Sequence, residues 1–187
     1  MIDKLAIKLT SFICTEAYSN AKDKAKIQYG LSILLSEGFK IITLILLFNI
    51  IQNQNYFYFS LLILLSIRVF SGGIHVKGTL NCLLLTILLF LFTSTLAPSL
   101  PGLPSAYYLI MAVICLVITL VRAPICSVRR PIKDNKIKLQ YKYTAVLSIV
   151  LWTIILLTLK DTQYINCGFS TIFIQSIQLV LVKKPSL

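Results

Sequence analysis

The single histidine of this chain, His75, is followed seven positions later by Cys82. Imidazole and thiol are the two parts of a nucleophilic dyad, in which the base takes the thiol proton and sulfur attacks an acyl carbon. Their spacing sets a condition. On one straight helix the two side chains would share a face yet stand roughly 10 Å apart. A base must come within about 3 Å of its nucleophile, or reach it through one water. The stretch Arg68 to Cys82 contains a remedy: Gly72, Gly73 and Gly78, three of the seven glycines, can take φ > 0 and fold the backbone back. Thr79 is then a suitable N-cap for a helix whose first turn holds Leu80, Asn81 and Cys82. A thiol there sees the positive end of the helix dipole, which favours the thiolate. His75, on the bent segment before it, would complete the dyad, and the chemistry would be attack on an acyl group.

Residue types alone leave a plainer account open. A lone cysteine in an apolar helix is usually an inert small hydrophobe, and Cys14, Cys115, Cys126 and Cys167 read that way. A lone histidine beside a membrane can be a polar anchor. One histidine with no carboxylate nearby does not supply the three or four ligands of a metal site, so no metal or other cofactor is expected.

The elements that must position this pair are membrane helices. A hydrophobic fraction of 57% with only 13% charged residues and a mean hydropathy of +0.86 exceed what a soluble chain of this length carries. The expectation is one domain over residues 1–187, an all-α integral membrane protein. An amphipathic surface helix over 1–27 precedes a transmembrane bundle over 29–182. Ile2, Leu5, Leu9, Phe12, Ile13 and Ala17 recur at helical spacing, with Lys4, Lys8, Ser11 and Thr15 largely elsewhere. That pattern suits a helix lying on the inner leaflet, or equally one packed on the rest of the protein. Six spans follow: Tyr29 to Ile51, Tyr56 to Val69, Leu80 to Ala97, Ala106 to Val121, Tyr143 to Leu159 and Tyr164 to Val182. The second is short, which would place the site slightly below the membrane surface. No cleavable signal peptide is expected, because the first long apolar run lies beyond residue 28. Five cysteines without paired spacing suggest no disulfide framework.

Charge orients the bundle. With the N-terminus inside, the basic residues fall in inner segments except Lys160, outside, and Lys40, within a span, out of 18. N-in and C-in is therefore expected, with His75 and Cys82 facing the cytoplasm, where thiols stay reduced. The same asymmetry accounts for the net charge of +12 without a nucleic-acid partner. Glu37 and Lys40, within the first span, lie i,i+3 and can pair. They either fix helix packing or, through Glu37, orient His75 or touch substrate. Arg68 closes the second span, snorkelling to lipid phosphate or binding a peptide carboxylate.

Arg68, Gly72, Gly73, His75 and Cys82 together resemble the signature of the accessory gene regulator B (AgrB) family. A second block, Arg122-Ala123-Pro124-Ile125 followed by Arg129-Arg130-Pro131-Ile132, is similar to that family's internal loop. Length, amphipathic start and spacing of apolar segments extend the likeness over nearly the whole chain. The resemblance implies an integral-membrane cysteine endopeptidase that processes an AgrD-type precursor into a cyclic quorum-sensing peptide. It makes His75 and Cys82 the catalytic pair and implies a homodimer. An acyl-enzyme thioester on Cys82 would then be attacked by a cysteine or serine inside the peptide, closing a thiolactone or lactone ring without ATP. The basic segment Arg122 to Lys142, with Arg129 and Arg130, either holds an acidic tail of the precursor or serves only as a topology signal. The rival class is a non-enzymatic peptide exporter or membrane scaffold, which six spans and internal charges at Glu37 and Lys40 would also suit. A transporter needs neither His75 nor Cys82.

Overall fold

The computed structural model describes residues 2–13, 21–74, 78–125 and 134–182. All its elements are helices, and no strand occurs among the described residues. In a bilayer each backbone N–H and C=O must be satisfied within the segment, and apolar helices do so. Among the described residues, five helices are long and apolar enough to cross a membrane, over Asp23–Ile50, Leu80–Ser99, Ser105–Arg122, Asn135–Thr158 and Thr162–Leu181. The chain forms two compact units, Met1–Gln52 and Asn53–Leu187.

In the first unit, α1 (Ile2–Ile13) packs on α2 (Ala21–Ile50). The amphipathic segment expected to run to residue 27 is therefore shorter as a helix. Residues 14–20, with Ala17, lie outside the described part. The next helix begins eight residues before the expected Tyr29. Asp23 in its first turn favours that early start, meeting the dipole and pairing with Lys26 at 2.8 Å. Along α1, Ala6 and Thr10 are buried, whereas Leu5, Phe12 and Ile13 of the apolar stripe stay exposed. Within α2, Lys40 is buried and bonds half-exposed Glu37 at 2.5 Å, the local i,i+3 pair read from spacing.

The second unit is built around α8 (Thr162–Leu181), which touches α3 (Gln54–Ser71), α6 (Ser105–Arg122), α7 (Asn135–Thr158) and the end of a broken helix. That broken helix is α4 (Thr79–Leu91), a π-helical turn at Phe92–Leu96, and the short α5 (Ala97–Ser99). The π turn ends two residues before Pro98, which has no N–H to give and crowds the preceding turn. Helix α3, expected as the second span, is not among the five. It has 18 residues, about 27 Å, but starts with Gln54-Asn55 and ends just past Arg68. Its buried residues Phe57, Ser60, Leu64, Ile67 and Ser71 follow a three-four spacing, a seam made for helix contact.

Ile63 and Ile67 of α3, Tyr108, Ala112 and Cys115 of α6, Ile149 and Leu156 of α7, and Phe169 and Ile172 of α8 form the core. Gly168 lets α7 and α8 close on each other, because a Cβ there would lie 2.3 Å from Leu156 Cδ2. Polar bonds run inside the bundle, as membrane interiors require. Ser60 Oγ lies 3.1 Å from Cys167 Sγ and 3.0 Å from Thr171 Oγ1. Trp152 Nε1 donates to Ser66 Oγ at 2.7 Å. At the N-terminal end of α8, the Tyr108 hydroxyl donates to Asn166 Oδ1 and accepts from Leu103 N. Asn166 Nδ2 donates to the Leu100 carbonyl at 2.8 Å. Asp134 and Asp161 cap α7 and α8 by accepting from Lys136 N and Gln163 N.

Candidate active site

Helix α3 stops at Ser71 because the next residue leaves helical space. Gly72 N still donates to Arg68 O at 2.9 Å, but Gly72 itself sits at φ 76°, ψ −164°, a region essentially closed to residues with a Cβ. Helix α4 begins after a second such residue, Gly78, at φ 93° and ψ 132°. The two helices are thus separate, as the distance between His75 and Cys82 along a straight helix demanded. Two details differ from the sequence reading. Gly73 has no positive φ. Thr79 is the first helical residue, and Gly78 takes the cap position without a side-chain bond.

Cys82 lies in the first turn of α4, its N–H bonded to the Gly78 carbonyl at 3.1 Å. It is half-buried, whereas Cys115 and Cys167 are fully buried, and none of the three is in a disulfide. Residues 75–77, and so His75, lie outside the described residues, as do Cys14, Cys126, Arg129 and Arg130.

The segment Ser71 to Ile74, which leads into His75, is tied down from three sides. From its own helix, the Arg68 guanidinium folds forward and Nη2 donates to the Ile74 carbonyl at 2.9 Å. Its Nη1 donates to Gln178 Oε1 of α8 at 3.0 Å. Arg68 therefore turns two donors inward, instead of reaching to lipid phosphate as its position at the helix end suggested. From α8, Gln175 Nε2 donates to the Gly72 carbonyl at 2.7 Å and to Ser71 Oγ at 3.0 Å. From the stretch that follows α6, Ile125 N donates to the Ser71 carbonyl at 3.0 Å. The chain packs closely at both glycines. A Cβ on Gly72 would stand 2.5 Å from the Ile125 carbonyl oxygen, and one on Gly73 3.2 Å from Arg68 Cζ.

Arg68, Gly72 and Gly73 are thus brought together, and Ile125, from the second sequence block, joins them. Glu37 and Lys40 belong to the first unit and pair with each other. Gln175 and Gln178 went unnoticed in the sequence. Their signal is two amides three residues apart on a membrane helix, a spacing that puts both on one face. Both are buried. The other half of each amide, Gln175 Oε1 and Gln178 Nε2, has no partner among the described residues.

Comparison with known proteins extends the resemblance. The family described as Accessory gene regulator B matches residues 6–179. An AgrB-like protein of Clostridium beijerinckii is 36% identical over 161 residues, covering 86% of this chain and 79% of that relative. No solved structure matches.

Proposed function

The chain belongs to the accessory gene regulator B family, and on that premise we propose that it is a membrane cysteine endopeptidase of quorum sensing, acting on an AgrD-type precursor. The observation that supports this best is the position of Cys82. It is a half-buried thiol in the first turn of a helix that starts afresh after Gly78, and the chain entering that turn carries His75. In the proposed reaction His75 accepts the Cys82 proton, and sulfur attacks a precursor carbonyl. The C–S bond forms as the C–N bond breaks, and the proton passes to the leaving amine. A cysteine or serine within the peptide then attacks the thioester, closing a thiolactone or lactone and returning the thiol. A thioester transfers its acyl group to another thiol at little cost, and a site sunk at the membrane edge keeps water away.

The proposal includes a single peptidase domain with six spans, α3 being the second, and both termini inside. The site faces the cytoplasm, the working form is a homodimer, and Arg129 and Arg130 receive an acidic precursor tail. The test is precursor cleavage per molecule of membrane-inserted protein. Cys82→Ala and His75→Ala should each abolish it, and Cys115→Ala should leave it within about threefold. Cleavage that survives Cys82→Ala would instead favour the exporter or scaffold.

A further inference from the structure

We propose that Gln175 and Gln178 of α8 are positioning residues for this reaction, holding the Gly72–Ile74 segment that delivers His75. The inference rests on the peptidase reading above, but its structural half stands on the bonds themselves. Each amide has a defined orientation, because each faces a partner that can play only one part. Arg68 can only donate, so the atom of Gln178 that meets it is the oxygen. The Gly72 carbonyl can only accept, so the atom of Gln175 that meets it is the nitrogen. One glutamine thus works as an acceptor, for Arg68, and its neighbour one turn away as a donor, to Gly72.

Stability alone does not account for these side chains. Both are buried, at 0% and 4% exposure, and each leaves its second polar atom without a partner among the described residues. An apolar side chain of similar length would bury no such atom. What the amides do is fix the two ends of a tripeptide. Gln175 holds Gly72 directly, and Gln178 holds Arg68, which holds Ile74. The next residue in the chain is His75. A base displaced by about 1 Å loses most of its effect on a nucleophile, so the glutamines act on catalysis through the loop and not by touching substrate.

The opposite roles give opposite responses to the same conservative change. Gln178→Glu keeps an acceptor for Arg68, whereas Gln175→Glu replaces the donor with an acceptor facing a carbonyl. Precursor cleavage by the full-length protein in membranes should be measured for Gln175→Glu, Gln175→Met, Gln178→Glu and Gln178→Met. Gln178→Glu should stay within about threefold of the parent in kcat. The other three should each fall by about tenfold or more, with KM unchanged. Hydrogen exchange of the Gly72 to Ile74 amides should accelerate in those three and not in Gln178→Glu. The inference is overturned if Gln178→Glu falls as far as Gln178→Met, if all four variants keep their kcat, or if only the amount of inserted protein changes. A Cys82→Ala control measured in parallel separates the two ideas: activity surviving there sinks the peptidase reading, whatever the exchange data say about the loop.

Discussion

Gly72→Ala puts the strongest demand on the loop geometry. The residue sits at φ 76°, ψ −164°, where a residue with a Cβ carries a cost of about 1–3 kcal/mol. The new methyl would also lie 2.5 Å from the Ile125 carbonyl oxygen, which is backbone and cannot swing aside. Relieving that contact means moving the residue whose N–H holds the Ser71 carbonyl at 3.0 Å, a bond worth about 0.5–1.5 kcal/mol. Together these give about 2–4 kcal/mol against the observed loop, or about a 30- to 1000-fold fall in the fraction of molecules that hold it. Gly73→Ala is the near control. Its backbone is unstrained, and its Cβ meets the Arg68 guanidinium carbon at 3.2 Å, part of a side chain that can yield, so about 1 kcal/mol is expected. Gly30→Ala is the distant control. Nothing lies within 4 Å of its Cβ, and alanine is the better helix former by about 1 kcal/mol. The assay is precursor cleavage normalised to inserted protein. The order of activity should be Gly30→Ala at parental level, Gly73→Ala reduced, and Gly72→Ala lowest. A Gly72→Ala protein as active as Gly73→Ala would refute the loop argument.

Two further outcomes are expected. Gly168→Ala should destabilise by about 1–3 kcal/mol through overpacking, because its Cβ would lie 2.3 Å from Leu156 Cδ2. Adding Leu156→Ala should cost less in that background than alone, and strictly additive shifts in the thermal midpoint in detergent would show that the contact does not matter. For orientation, a reporter fused after Lys184 should be cytoplasmic and one inserted between Pro98 and Pro104 external. An external reporter between Arg122 and Lys142 would reverse the proposed topology and the compartment of Cys82.

The parts of this protein that were legible in its sequence are those written in local code. Apolar runs of membrane length announced the helices, and charged or Gly/Pro-rich stretches their separations. The break between Ser71 and Thr79 followed from three glycines and a distance argument, and the start of α4 was placed within one residue. Less legible was whatever depends on a distant partner. Arg68 looked like a helix-end residue reaching for lipid, because nothing nearby in sequence shows that α8 brings a glutamine oxygen to it. Which glycine takes the positive φ was equally hidden, since Gly72 and Gly73 are chemically identical and only the fold, with its approach of Ile125 to Gly72, tells them apart. The early start of α2 was obscured by its lysines, which read as a flank, but Lys24 and Lys26 sit exposed on the helix.

The bonds at the two ends of α8 do more than hold their own neighbourhoods. Asn166 grips the Leu100–Leu103 turn, and twelve residues on, Gln178 meets Arg68. That separation is about 18 Å of rise and about 120° of rotation. Two anchors on different sides of one cylinder remove its screw freedom. Sliding by a turn, about 5.4 Å, or spinning to another face would break both at once. Helix α8 is thus a fixed axle for the second unit, and any rearrangement within that unit must be made by elements that turn around it.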